Sequence, residues 1–202
     1  MKFELVVLGA HIGIHIKDEI SKINNSPILL VEPVPHNVDA IKENLKEYKN
    51  IVIEPVAISN INEKKDFYFV KGNSINKLKK HWASGIGSFD KQHILNHKSK
   101  RFNINEDDIE NIEIDFITFD NLIKKYEIDS IDNLQIDVEG AEYEILKTID
   151  FKKTNINSIQ FESKHFDGTF TEGPKLKKIK EKLLANGFNL SQLDQENILA
   201  KK

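Results

Sequence analysis

The sequence predicts an α/β fold: a mostly parallel sheet with helices on both faces. Two observations carry this reading. Short apolar runs alternate with segments whose apolar residues recur at helical spacing, the pattern of strand-helix units. Two of those runs, ending at Gly9 and at Asp137, share one strand-turn-helix layout near opposite ends of the chain. In open α/β sheets ligands bind at the carboxyl ends of strands, so both turns fall where a site is expected.

The elements follow in order. Residues 3–8 read as a buried strand. Ile12, Ile16, Ile20 and Ile23 then recur at helical spacing and predict a helix with one apolar stripe. Residues 28–31 form a second strand ending at Glu32-Pro33. Pro35 suits the first turn of the next helix, where its missing N–H costs nothing. Val38, Ile41, Leu45 and Tyr48 give that helix its buried face. Residues 51–53 are a third strand, and residues 66–70 a further strand paired antiparallel.

Residues 71–111 break the rhythm around Ser84-Gly85-Ile86-Gly87-Ser88. So long an irregular insertion in a compact domain is usually functional, and a lid is expected here. Residues 113–119 alternate as a strand, and Asp120 is placed to cap a helix running through Tyr126. An apolar run from Ile131 reaches Asp137-Val138-Glu139-Gly140-Ala141-Glu142, and Ile145, Leu146 and Ile149 mark the helix after it. Residues 156–161 are another buried strand, ending at Glu162. Leu176, Ile179, Leu183 and Leu184 mark a helix that Gly187 can terminate. The tail, 188–200, is expected to close the sheet as a hairpin. With 202 residues and no evident linker, one domain is expected over 1–202.

Composition narrows the function classes. Hydrophobic content of 39% and charged content of 30% are those of an ordinary globular protein. The absence of cysteine excludes a disulfide framework, a thiolate metal site and a Cys nucleophile. Residues 2–8 are too short and too acidic for a secretory leader, and no apolar run approaches the roughly 20 residues of a membrane helix. A cytoplasmic location with no membrane partner is the default expectation. The net charge of −3 speaks against a nucleic-acid partner. That charge is uneven, however. Residues 71–101 carry eight Lys/Arg (Lys71, Lys77, Lys79, Lys80, Lys91, Lys98, Lys100, Arg101) against Asp90, together with His81, His93, His97 and Trp82. A solvated loop has this pattern, and so does a basic flap that receives an anionic ligand.

Three features carry chemistry. Gly9-x-x-x-Gly13 lets the backbone turn tightly and pack close to a ligand or strand, although ordinary strand-to-helix turns also contain such glycines. Glu32 ends the next strand, 23 residues beyond Gly9, near where nucleotide-binding α/β folds place an acid on ribose hydroxyls. Asp137, Glu162 and His165 all fall at strand ends on the same predicted edge, and each is a candidate general base. His165 has the pKa suited to taking a hydroxyl proton near neutrality. Glu142 is expected to serve the following helix's positive end. Asp137, Glu139 and His165 would suit a divalent ion, but their spacing has no strong metal signature, and no metal site is expected.

Gly9-Ala10-His11-Ile12-Gly13, Glu32-Pro33-x-Pro35, Asn44-Leu45, Ala57-Ile58-Ser59 and above all Ile136-Asp137-Val138-Glu139-Gly140-Ala141-Glu142 resemble the FkbM family of methyltransferases. So do Ile117-Thr118-Phe119-Asp120-Asn121-Leu122 and Phe161-Glu162-Ser163-Lys164-His165. The resemblance runs from about Val6 to Phe166. It implies a class I, Rossmann-like methyltransferase with a seven-stranded, mostly parallel sheet, using S-adenosylmethionine and generally O-methylating. By resemblance, Gly9, Ala10, His11 and Gly13 would wrap the cofactor's methionine part, while Glu32 and Pro33 would meet its ribose. Ala57 and Ile58 would sit beside the adenine, and Asp137 and Glu139 near the sulfonium and the acceptor. The acceptor class implied is a hydroxyl on a saccharide or small metabolite. One departure stands out: the family usually has an acid two residues before the first glycine, where this chain has Val7. That substitution keeps open a non-catalytic module that binds an anionic partner through residues 71–101. A nicotinamide-dependent oxidoreductase is a third option, against which the acidic turn at Asp137 counts.

Overall fold

The computed structural model describes residues 1–78, 81–96, 103–138, 140–168 and 171–202, of which 76–78 and 81–82 are described by their backbone alone. The strands are β1 (Lys2–Leu8), β2 (Ile28–Val31), β3 (Ile51–Glu54), β4 (Ala57–Ser59), β5 (Glu63–Val70), β6 (Gly87–Ser88), β7 (Ile109–Thr118), β8 (Ser130–Ile136), β9 (Asn155–Glu162), β10 (Asn189–Gln192) and β11 (Asn197–Lys201). The α-helices are α1 (Lys17–Ile20), α2 (Pro35–Asn44), α3 (Gly72–Leu78), α4 (Lys91–Asn96), α5 (Phe119–Lys125), α6 (Glu142–Thr148) and α7 (Pro174–Ala185).

Seven strands form one sheet in the order β10-β11-β9-β8-β1-β2-β3. The five strands from β9 to β3 run parallel, and the β10–β11 hairpin closes one edge antiparallel. This is the seven-stranded, mostly parallel sheet expected from the sequence. β1, the middle of the five parallel strands, alternates between two apolar clusters, which is why it reads as a continuous hydrophobic run. Val6 and Leu8 of β1 join α5, α6 and α7 through Phe119, Leu122, Ile145, Leu146, Ile179 and Leu183. Leu5 and Val7 face the other way, onto Ile20 of α1 and Ile41 of α2. Helices therefore cover both faces. Among the described residues, no helix is long and apolar enough to cross a membrane.

A second sheet stands apart, in the order β4-β7-β5-β6, with β5 antiparallel to β7 over eight residue pairs. The antiparallel pairing expected for residues 66–70 is present, but its extent is larger than the sequence pattern indicates. β7 begins at Ile109, inside the expected insertion, and gives way to α5 at Phe119. Ala57, Phe67, Phe69, Ile114 and Phe116 make this sheet's apolar face, and Val34 packs on it.

Two local expectations need correcting. The helix after β1 spans only Lys17–Ile20, because residues 9–13 take up the chain as a loop with positive φ at Gly9, His11 and Gly13. Ile16 and Ile20 are buried as the stripe requires, but Ile12 precedes the helix. Asp120 is not the cap of α5. Thr118 is, its hydroxyl accepting from the Asn121 N–H at 3.2 Å, so Asp120 sits in the first turn. Pro35 opens α2, and Gly187, at φ +84°, ends the turn after α7, both as expected.

Candidate functional site

The carboxyl ends of β1, β2 and β8 are hydrogen-bonded into one rim. The N–H groups of Gly9 and Ala10 both donate to the Val31 carbonyl at 3.0 Å, and the Asp137 N–H donates to the Leu8 carbonyl at 2.9 Å. The Gly9 turn presses directly on the Asp137 turn. A Cβ on Gly9 would lie 1.7 Å from the Asp137 carbonyl oxygen, and φ of +88° is unfavourable to any side chain. Gly13, at φ +76°, packs on α2, where an added Cβ would come within 3.0 Å of Leu45.

Glu32 lies at the centre of this rim and is almost fully buried. Its Oε2 accepts from the His11 N–H at 2.8 Å, and its Oε1 accepts from the Val34 N–H at 3.0 Å and from Asn37 Nδ2 at 3.1 Å. Burial pushes its carboxyl up to about 7, while those three donors favour the charged form and oppose the rise. The same Asn37 amide donates to the Ser84 carbonyl at 2.9 Å, and the His11 ring meets the Ser84 hydroxyl. Ser84 belongs to the insertion. One buried amide thus ties the insertion to the strand-end acid.

The rim opens into a cavity of about 740 Å³, within the roughly 300–1,000 Å³ of small-molecule pockets. Gly9, His11, Glu32, Pro33, Ala57, Ile58, Asp137 and His165 all line it. Ala10 and Gly13 do not: Ala10 is buried in the core, and Gly13 packs on α2. Glu162 stands behind Asp137 rather than on the cavity wall. It is buried and paired with Lys164 Nζ at 2.8 Å. Glu139 lies outside the described residues. Val7 is buried against Leu5 and Leu30, away from the cavity, so an acid there would have to be accommodated in an apolar cluster.

The Asp137 side is crowded with carboxylates. Reduced hydration, then the charge of Glu162, pushes Asp137 up to about 6. Glu142 folds back over its own turn and accepts from the Val138 N–H at 2.8 Å and from the Gly140 N–H at 3.1 and 3.0 Å. It therefore organises the turn ahead of α6, close to the role expected of it. Burial pushes it up to about 7 in spite of those donors. His165 is held below the ordinary imidazole range by burial, which leaves the ring neutral at pH 7.

Phe67 and Phe116 of the second sheet and His15 also line the cavity, and nothing local in the sequence singles them out. Gly85, Gly87, Ser88, Phe89, Asp90 and His93, which line it too, fall within the irregular insertion at 71–111. Of the eight basic residues in 71–101, the two whose side chains are described turn to the insertion's own backbone and acids. Lys71 donates to the Asp107 carbonyl at 2.8 Å, and Lys91 pairs with Glu106 at 2.8 Å. Lys77, Lys79, Lys80, Lys98, Lys100 and Arg101, with His81, Trp82 and His97, lie outside the described side chains.

Over residues 8–190 the sequence matches the model of the methyltransferase FkbM domain. The chain belongs to the FkbM methyltransferase family. The match spans both turns, Glu32, the insertion and His165, so this FkbM domain takes in the whole rim. No curated protein matches the sequence. Among solved structures, precorrin-6y C5,15-methyltransferase from Geobacter metallireducens aligns with a TM-score of 0.46 and 13% identity, over 100% of this chain and 82% of that one. Fibrillarin from Aeropyrum pernix, crystallised with natively bound S-adenosyl-L-methionine, aligns with a TM-score of 0.48 and 10% identity, over 98% of this chain and 65% of that one. The Methanococcus jannaschii fibrillarin pre-rRNA processing protein aligns with a TM-score of 0.46 and 14% identity, over 99% and 66%. The family assignment rests on the FkbM domain match.

Proposed function

We propose that this FkbM domain methylates a hydroxyl of a saccharide or other small metabolite, with S-adenosylmethionine as the methyl donor. The observation that carries the reading is the convergence of Gly9, Glu32, Ala57, Ile58, Asp137 and His165 on one cavity. The residues present fit that donor. The side-chain-free Gly9 lets the turn after β1 close onto the Asp137 turn. Three donors fix Glu32 while leaving a lone pair on Oε2 for a ribose hydroxyl. Val34, Val56, Ala57, Ile58, Phe67 and Phe116 supply an apolar wall suited to an adenine ring.

When bound, S-adenosylmethionine supplies a methyl group activated by its positive sulfonium. The chain's part is to hold and orient the reactants, which is the larger contribution to a displacement of this kind. Glu32 and Pro33 would hold the ribose, and the Gly9–His11 backbone the methionine portion. Asp137, with its negative charge beside the cavity, would favour the cationic end. His165 is the general base of this reading. Its neutral ring accepts the acceptor hydroxyl's proton as the oxygen becomes the nucleophile. Residues 85–93 of the insertion form one cavity wall and act as the lid that shapes the acceptor pocket.

Calorimetry with S-adenosylmethionine and S-adenosylhomocysteine tests the donor. Absence of heat at roughly millimolar ligand, in folded protein, would overturn it. Mass spectrometry after incubation with methyl-labelled donor and pooled cellular saccharides and metabolites tests the acceptor. Label found on a nitrogen or carbon acceptor, and on no hydroxyl, would remove the O-methylation reading.

A further inference from the structure

We propose that Asp137, Glu142 and Glu162 form a binding site for a hard divalent cation at the inner wall of the cavity. Each offers a carboxylate oxygen, and the three oxygens lie within 4.8 Å of one another. Magnesium or manganese binds oxygens at about 2.1 Å and calcium at about 2.3–2.6 Å, so oxygens on opposite sides of one ion stand roughly 4–5 Å apart. All three carboxylates can therefore reach a single ion. An all-oxygen set selects magnesium, manganese or calcium over zinc or copper.

The independent sign of a missing ligand is Glu162. The residue is only 5% exposed, yet its Oε2 has no hydrogen-bond partner among the described residues. A buried carboxylate oxygen without a donor is costly, and proteins rarely leave one so. Its other oxygen, Oε1, is taken by Lys164 Nζ at 2.8 Å. Lys164 is also 3.5 Å from Glu196, so its single charge is divided and cannot neutralise the three acids. The N–H groups on Glu142 orient that carboxylate but bring no net charge. A divalent ion would supply both the charge and the partner for Oε2.

Access is through Asp137, the one member of the three on the cavity wall. Coordination positions not used by the protein would face the same space. On the proposed function, which this consequence presupposes, those positions would take oxygens of the acceptor. That favours acceptors with two adjacent oxygens, such as a vicinal diol or a hydroxy acid. The cation site itself does not depend on that reading.

The test is titration of the full chain with manganese chloride, without methyl donor, followed by calorimetry and by the loss of the free manganese spin-resonance signal. One manganese per chain with a dissociation constant below roughly millimolar is expected. Glu162→Gln and Asp137→Asn should each weaken it by about ten-fold or more, while His165→Gln should leave it unchanged. Circular dichroism monitors the fold of each variant, and Asp137→Asn on the cavity wall decides the matter if Glu162→Gln does not fold. No binding at millimolar manganese, or binding that survives both substitutions undiminished, overturns the proposal. Donor affinity, measured separately without metal, bears on the proposed function alone.

Discussion

The backbone of Gly9 sits so close to the Asp137 carbonyl that an added methyl group would overlap it, at 1.7 Å. Two turns 128 residues apart in sequence are thereby fixed in one contact, reinforced by the Asp137 N–H bond to Leu8. The Gly9 loop and the Asp137 turn are therefore one mechanical unit. A change in either displaces both.

That contact yields the first prediction. Gly9→Ala combines a positive φ with a backbone clash that no flexible side chain can relieve. The Asp137 turn must shift, and affinity for S-adenosylhomocysteine should fall at least about ten-fold, roughly 1.4 kcal/mol. Calorimetry on the folded variant reads this directly. Unchanged affinity would show that the two turns are not coupled.

Asn37 gives the second. Its buried amide donates both to Glu32 and to the Ser84 carbonyl, so Asn37→Ala leaves two buried acceptors each short of a donor. A loss of about 1–3 kcal/mol of stability is expected. The insertion should also loosen from the rim. Amide hydrogen exchange at residues 83–88 should accelerate more than exchange in β8. Equal acceleration everywhere would mean a purely global effect.

The third concerns the sheet. Leu134, in β8 between β1 and β9, is fully buried in the larger apolar cluster. Leu134→Ala should cost about 2–5 kcal/mol through lost burial and the cavity left behind. The denaturant midpoint should fall with the slope of the transition unchanged.

Much of this architecture was legible in the sequence because burial on both faces forces continuous apolar runs. β1 and β2 announce themselves in that way, whereas β8 and β9 are marked by Ile131, Leu134 and Ile136 and by Ile156, Ile159 and Phe161 set among polar residues; the polar ends at Gly9, Glu32, Asp137 and Glu162 follow directly. The loop after β1 was misread because Ile16 and Ile20 keep helical spacing although the helix begins only at Lys17. Spacing reports which side chains are buried, not whether the backbone between them is helical. The second sheet was only partly visible, since seven of the ten β7 residues are not buried and its pairing with β5 is long-range. Asn37 carried no signal at all, and Ser84 stood out only as part of the irregular insertion. Their importance arises from meeting 47 residues apart, and nothing local in either segment encodes that contact.

The last prediction follows from Glu32. Burial raises its folded pKa to about 7, above the ordinary value of 4.5. An acid raised on folding binds its proton more tightly in the native state than in the unfolded one. Its contribution to stability is therefore most favourable below about 4.5 and declines as pH rises towards about 7. On the proposed function the donor's ribose would need the opposite form, because only the carboxylate accepts fully from a hydroxyl while holding its three internal donors. Affinity for S-adenosylhomocysteine should accordingly rise several-fold, on the order of ten-fold, between pH 6 and pH 8. Glu32→Gln should bind more weakly at pH 8 and lose that pH dependence. It should also lose the part of the stability decline between pH 5 and pH 7 that Glu32 causes, as read by the difference in thermal midpoints between the two proteins. A wild-type affinity flat across this range would show that Glu32 stays ionised throughout and that its three donors outweigh its burial.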